Sequence, residues 1–283
     1  MAPTLRWGER TWLMGIINLT DDSFSGDGLA SHGRSRDEIV EAALAQGRAF
    51  VESGAEILDV GAESSRPRNA YGEHPPVTPE AEAALAVPVV RVLAAELGDR
   101  AMVSIDTSKG SVASAALEAG ATMVNDVWAA RRDAGTAVAA AEADAHLVVM
   151  HNQEGNEYPN GMFDTVVAWL REAVDEATAR GVRRDRIVVD PGIGFGKGTA
   201  ANLELLHRLA ELKEALGGLP LLVGTSRKRF LGELLGGTAP EDRLEGTAAS
   251  VALAIAAGAD IIRVHDVAPM ARVRRVADAI IRR

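Results

Sequence analysis

The chain has 283 residues, 47% of them hydrophobic and 25% charged, with 40 acidic against 30 basic side chains and a formal charge of −10. That composition excludes an intrinsically disordered chain and is ordinary for a soluble globular protein. The lack of cysteine removes disulfides, thiolate metal sites and cysteine nucleophiles, while the acidic balance and 4% aromatic content argue against nucleic acid as a partner.

Residues 1–7 hold no apolar stretch of a signal peptide. Eight short apolar runs then follow, at 12–17, 56–60, 102–105, 123–124, 146–150, 187–189, 221–223 and 261–264. Each is rich in Val, Ile or Leu and apolar on both faces, as strands are when helices cover a parallel sheet. Helical patterns separate them. Ser35 and Glu38 have the spacing of a capping box ahead of Ile39, Val40, Ala43, Leu44, Phe50 and Val51. Thr78 and Pro79 open another helix, which Pro88 is expected to kink or end. Leu205, Leu209, Leu212 and Leu216 mark a later one, with His207 inside it as a structural residue. The charge-free run 246–259 is about 14 residues, too short to cross a bilayer, and reads as a buried helix. A cytoplasmic protein with no membrane partner is expected.

Three junctions repeat one pattern, in which Ser53-Gly-Ala, Ala119-Gly-Ala and Ala257-Gly-Ala each stop a helix just before a strand. No linker or change in composition divides the chain. Eight such units predict an α/β fold, a (β/α)8 barrel, as one domain over 1–283.

Chemistry in this barrel sits at the C-terminal ends of the strands. The polar residues there are Asn18, Asp59 with Glu63, Asp106, Asn125, His151, Asp190, Lys228, and Arg263 with His265. Burying one such residue without a partner is costly, so their recurrence after successive strands predicts one shared pocket. Asp and Asn can pair with the edge of a planar nitrogen heterocycle, and Arg, Lys and His suit an anion such as phosphate.

Two nucleotide motifs are excluded. A Walker A ending at Lys197 needs Gly where Pro191 stands and Ser or Thr where Gly198 stands, and the first strand lacks the glycines of a Rossmann fingerprint. The run from Gly192 to Gly198 then reads as a tight βα loop. His151, His265 and Asp266 lack close metal-ligand spacing. His32 and His74 lie in polar loops.

Taken in order, the motifs resemble a known family. They are Met14-Gly-Ile-Ile-Asn-Leu-Thr-Asp-Asp-Ser-Phe-Ser, Asp59-Val-Gly-Ala-Glu-Ser-Ser-Arg-Pro, Ser104-Ile-Asp-Thr, Val124-Asn-Asp-Val, Met150-His, Asp190-Pro-Gly-Ile-Gly-Phe-Gly-Lys, Gly224-Thr-Ser-Arg-Lys and Arg263-Val-His-Asp-Val. The sequence closely resembles the dihydropteroate synthases of folate biosynthesis, over about 14–267.

The resemblance implies a transferase that joins 6-hydroxymethyl-7,8-dihydropterin diphosphate to 4-aminobenzoate with Mg2+ as cofactor, acting as a homodimer. It places Asp106, Asn125, Met150, Asp190 and Lys228 on the pterin, and Asn18, Arg263 and His265 on the diphosphate, with Asn18 near the metal. Ser65, Arg66, Pro67, Lys228 and Arg229 fall to the aminobenzoate, and Asp27, Arg66, Lys228 and Asp190 to catalysis.

Four departures stand out. The family's Ser-Phe-Ser-Asp-Gly-Gly reads Ser23-Phe-Ser-Gly-Asp-Gly, which moves the carboxylate to Asp27. The stretch from Arg68 to Pro75 lengthens the loop after the second strand. Trp128-Ala-Ala replaces a frequent Ser-Gly-Gly, and Arg229 follows Lys228 where some members have Ser. Its side chain or its backbone N–H could meet the substrate carboxylate. Two alternatives remain open: a folate-dependent methyltransferase of the same superfamily, and a non-catalytic pterin-binding paralogue.

Overall fold

The computed structural model describes residues 4–20, 28–29, 33–63, 77–153, 155, 157–158 and 161–282. Its eight strands are β1 (Trp12–Asn18), β2 (Ile57–Gly61), β3 (Met102–Asp106), β4 (Met123–Asp126), β5 (His146–Met150), β6 (Ile187–Asp190), β7 (Leu222–Val223) and β8 (Ile261–Val264). Their order is β6-β5-β4-β3-β2-β1-β8-β7, and every pair is parallel. A parallel bridge from Val189 to Leu221 brings the two edges together and closes the barrel.

The helices are α1 (Arg36–Ser53), α2 (Pro79–Leu97), α3 (Gly110–Glu118), α4 (Gly135–Glu142), α5 (Met162–Ala179), α6 (Thr199–His207), α7 (Leu209–Ala215), α8 (Arg229–Leu234), α9 (Leu244–Ala256) and α10 (Val267–Ile281). No described helix is long and apolar enough to cross a membrane. The capping box of α1 forms as expected, with Ser35 and Glu38 each satisfying the other's backbone N–H. At the repeated junctions Gly54, Gly120 and Gly258 take φ values of +106°, +110° and +94°, where a side chain would be strained.

One expectation is narrowed and one changes. Pro88 does not end its helix, for α2 runs on to Leu97. A proline inside a helix costs about 3 kcal/mol. Val89, Val90, Leu93 and Leu97 offset it by packing on the core, each worth about 1.5–3 kcal/mol. The leucine pattern 205–216 is split at Arg208 into α6 and α7, so His207 ends a helix rather than lying within one, although Leu205, Leu209, Leu212 and Leu216 are all buried.

Alternation along the strands sorts side chains into two cores. Leu13, Ile17, Leu58, Val60, Val103 and Ile105 face the helices. Trp12, Met14, Ile57, Met102, Met123, Val148, Val188, Leu222 and Ile261 face inward and fill the lower lumen. Leu5 and Trp7 pack against that inner core from the chain's start. Two residues further along the same strands, the inward positions become Asp59, Ser104, Asn125, Met150, Asp190 and Arg263. The apolar plug thus forms the floor of the polar site.

Candidate active site

The strand register sets the mouth of the barrel. Asn18 lies beside Gly61, Gly61 beside Asp106, and Asp106 beside Asn125. Met150 lies beside Asp190 on the opposite wall. Arg263 reaches across the floor, with Nε donating to Asp59 Oδ2 at 2.7 Å and Nη2 to Asp106 Oδ2 at 2.8 Å. Asn125 Nδ2 donates to the same Asp59 oxygen at 2.9 Å. Asp59 is fully buried, and its Oδ1 has no partner. It therefore orients both Arg263 and Asn125. The sequence singles Asp59 out as a strand-end residue without giving it a role; its inward parity with Ile57 is the signal for one.

Burial pushes the Asp106 carboxyl up from the ordinary range, and Arg263 opposes that shift. Asp190 is likewise raised by burial, against the pull of Lys228. Burial draws the Lys228 ammonium down to about 8, with Asp190 opposing. The site therefore holds buried charges of both signs that compensate one another, and a ligand with N–H donors and acceptors would complete their shells.

The loop after β6 is held from within. Asp190 Oδ1 accepts the Gly192 N–H at 2.7 Å. Gly192 has φ +69°, and a Cβ there would lie 2.0 Å from the His151 carbonyl oxygen, so only glycine fits. Lys197 Nζ lies 2.9 Å from His151 Nδ1, from Gly192 O and from Phe195 O, three acceptors for its three protons. Burial brings Lys197 down to about 7. Burial and the Lys197 charge take His151 down to about 3, so its ring is neutral. Asn202 accepts from Gly194 N at 2.7 Å and donates to Gly198 O at 3.0 Å, and Tyr158 Oη donates to Gly196 O at 2.9 Å. Lys228 Nζ donates to Ile193 O and sits 4.7 Å from the centre of the Phe195 ring. The expected tight βα loop is thus a cradle for Lys228, organised by Lys197, whose part the excluded P-loop motif hides.

Arg227 takes φ +57° between Ser226 and Lys228. Its guanidinium forks onto Asp266, with Nε 2.9 Å from Oδ2 and Nη2 2.6 Å from Oδ1. That pair ties the β7 end to the start of α10. Ser226 Oγ accepts the His265 N–H at 3.1 Å and lies 3.0 Å from His265 Nδ1. That contact holds the His265 ring by its Nδ1 edge. Arg229 is exposed, and its Nε donates to Glu233 Oε1 at 2.8 Å.

The structure thus brings Asn18, Asp106, Asn125, Met150, Asp190, Lys228, Arg263 and His265 to the strand ends or the loops that leave them. Asp27, Ser65, Arg66 and Pro67 lie outside the described residues, as do His32 and His74. Among the described residues no group of three or more His, Cys, Asp or Glu could hold a metal ion, and His151 Nδ1 is taken up by Lys197.

A barrel mouth lined by buried carboxylates, an amide and cations suits an anionic nitrogen heterocycle. The family model described as pterin binding enzyme matches residues 14–265, which fixes the class. The dihydropteroate synthase of Bacillus subtilis is 39% identical over 277 residues, covering 98% of this chain and 91% of that protein. A dihydropteroate synthase structure from Clostridium difficile, determined in the presence of pteroic acid, has a TM-score of 0.89 at 40% identity, covering 99% of this chain and 100% of that one. The Xanthomonas albilineans dihydropteroate synthase with 4-aminobenzoic acid has a TM-score of 0.84 at 40% identity, covering 96% and 94%. The chain belongs to the dihydropteroate synthase family, transferases of folate biosynthesis. The methyltransferase and non-catalytic alternatives gain no support from these relatives.

Proposed function

We propose that the chain condenses 6-hydroxymethyl-7,8-dihydropterin diphosphate with 4-aminobenzoate, giving 7,8-dihydropteroate and diphosphate. The observation that carries this reading is the pairing of buried Asp106, Asn125 and Asp190 with the part-buried cations Lys228 and Arg263 at one barrel mouth. In this reading the two carboxylates accept pterin N–H groups and Asn125 reads a neighbouring edge, while Met150 lines the slot. Lys228 donates to the ring. As the C–O bond ionises, positive charge spreads into the pterin, and Asp190 stabilises it across a dry, low-dielectric gap. Arg263 and the His265 ring face the departing diphosphate. The aniline nitrogen is already neutral at pH 7, so attack needs no strong base.

Mg2+ belongs to the proposal. Asn18 ends β1 beside Gly61, and its amide oxygen is a hard donor of the kind Mg2+ accepts when substrate phosphates fill most of its shell. Bound there, the ion would neutralise charge on the leaving group. Asp27 and Arg66 are assigned to catalysis, and Ser65, Arg66, Pro67 and Lys228 to the aminobenzoate. Arg229 joins them through its backbone or its side chain. We also infer a cytoplasmic homodimer. Val276 and Ile280, one turn apart on α10, are 61% and 62% exposed, and Leu253 on α9 is 71% exposed, apolar surface fit to bury against a second copy. Light scattering at micromolar concentration should give twice the monomer mass; a monomer refutes the dimer.

Diphosphate release from the pterin diphosphate tests the function. Release that depends on 4-aminobenzoate and yields dihydropteroate is expected. Release without 4-aminobenzoate would mean that water captures the cation, and no release would remove the synthase reading.

A further inference from the structure

Lys109, three residues past the end of β3, lies between two carboxylates. Its Nζ is 2.6 Å from Glu63 Oε2 and pairs directly with Glu82 Oε2. Glu63 follows β2, and Glu82 lies in the first turn of α2, 1% exposed and with Oε1 unpartnered. The other oxygen of Glu63 accepts the Val77 N–H at 3.4 Å. The Lys109 backbone N–H in turn donates to Thr107 Oγ1 at 3.2 Å, and the next N–H, of Gly110, donates to Asp133 at 2.6 Å. One ammonium therefore links the chain on both sides of segment 64–76, and its residue is anchored three positions after Asp106.

Stability does not account for this arrangement. A carboxylate as buried as Glu82 loses more on desolvation than its pairing generally returns, and an apolar pair of the same volume would serve the fold as well. What the ions secure is geometry. Segment 64–76 carries Ser65, Arg66 and Pro67, and Glu63 with Val77 sets where that segment leaves and rejoins the barrel.

We propose that Lys109 is a positioning residue for the aminobenzoate half of the reaction. It fixes the two ends of segment 64–76 relative to Asp106 through Glu63 and Glu82. The proposal rests on the synthase reading above. Its action falls mainly on one substrate: among the described residues no side-chain bond of Lys109 reaches Asn125, Asp190 or Lys228, and the pterin side feels it only through the Glu82 charge near Asp106 and through Thr107.

Steady-state kinetics of the full chain with both substrates provide the test. For Lys109→Met the KM for 4-aminobenzoate should rise about tenfold or more, with some diphosphate released without product. The KM for the pterin diphosphate should rise several-fold less, because only the unpaired Glu82 charge reaches Asp106. Lys109→Arg should restore most of the loss. Glu63→Gln, at a residue whose side chain is 31% exposed, carries no buried-charge penalty and should reproduce the same selective rise even if Lys109→Met folds poorly. A parallel rise in both KM values, or wild-type kinetics in Glu63→Gln, overturns the proposal alone. A wild-type chain that makes no 4-aminobenzoate-dependent product overturns the synthase reading, and this proposal with it.

Discussion

The lower and upper halves of the barrel lumen are built by the same strands, two residues apart. Below, Met14, Ile57, Met102, Met123, Val148 and Val188 interlock with no polar group to satisfy. Above, Asp59, Asp106, Asn125, Asp190 and Arg263 satisfy one another in part and leave Asp59 Oδ1 unpaired. The lower layer stores stability, and the upper layer gives some up to hold charges where a ligand can meet them. Because strand parity places both, substitutions at equivalent inward positions should separate folding from chemistry.

The largest effect is expected above. Arg263→Met removes the cation shared by Asp59 and Asp106 and leaves two buried carboxylates without it. Stripping one partner from a buried pair costs about 3–5 kcal/mol. Denaturant unfolding should show that loss, and turnover should fall at least ~100-fold with the leaving-group contact gone. Below, Met123→Ala opens a cavity in a fully buried position and should cost about 2–5 kcal/mol. Its kcat/KM, measured well below the lowered unfolding temperature, should stay within about threefold of wild type. A comparable loss of turnover in both variants would break the division.

Lys228 sharpens the comparison through pH. Its proton leaves the native state near pH 8, against a reference value of 10.5. Below pH 8 the burial penalty on its charge is fully present. Between pH 8 and 10.5 the unfolded chain still binds the proton that the native chain has released, so this group makes stability rise with pH in that window. Lys228→Met lifts that penalty but leaves buried Asp190 without its cation, so stability at pH 7 should fall while turnover is abolished. In the wild type, kcat/KM should fall on the alkaline side with a midpoint near 8. A flat profile to pH 10 would show that the ammonium is not needed.

The barrel was legible because eight apolar runs and three repeated glycine junctions carry local signals that the tertiary structure obeys. Of the two outcomes expected at Pro88, a kink or an end, the structure excludes the end, because the proline penalty is local whereas the packing of Val89, Val90 and Leu93 is not. At the site, residues directly at strand ends were readable from position alone. Asp59 was seen without its role, since two bonds to residues 66 and 204 positions away define it. Lys197 and Lys109 were hidden for the same reason. Each lies in a loop and meets a side chain from a distant element, His151 after β5 for Lys197 and Glu63 and Glu82 for Lys109, so no spacing in the sequence records them.

The smallest predicted effect concerns the turn after β4. Ala129 and Ala130 adopt φ +52° and +58° where the family often has glycine, and both are almost fully buried. The turn cannot relax, because Asp126 accepts from the N–H groups of Trp128 and Ala130 at 2.8 and 2.9 Å and from Thr136 Oγ1 at 2.7 Å. Left-handed backbone costs an alanine about 1–2 kcal/mol. Replacing it by glycine recovers that strain, loses about 0.8 kcal/mol of methyl burial and adds about 0.5–1 kcal/mol of chain entropy to the unfolded state. These contributions nearly cancel, so Ala129→Gly and Ala130→Gly should each lie within about 0.5 kcal/mol of wild type, or roughly 2 °C in the unfolding midpoint. A gain well beyond that would make the turn a second place where the mouth of the barrel stores strain that its lower half does not carry. A comparable loss would mean that the two methyl groups serve the packing beneath it.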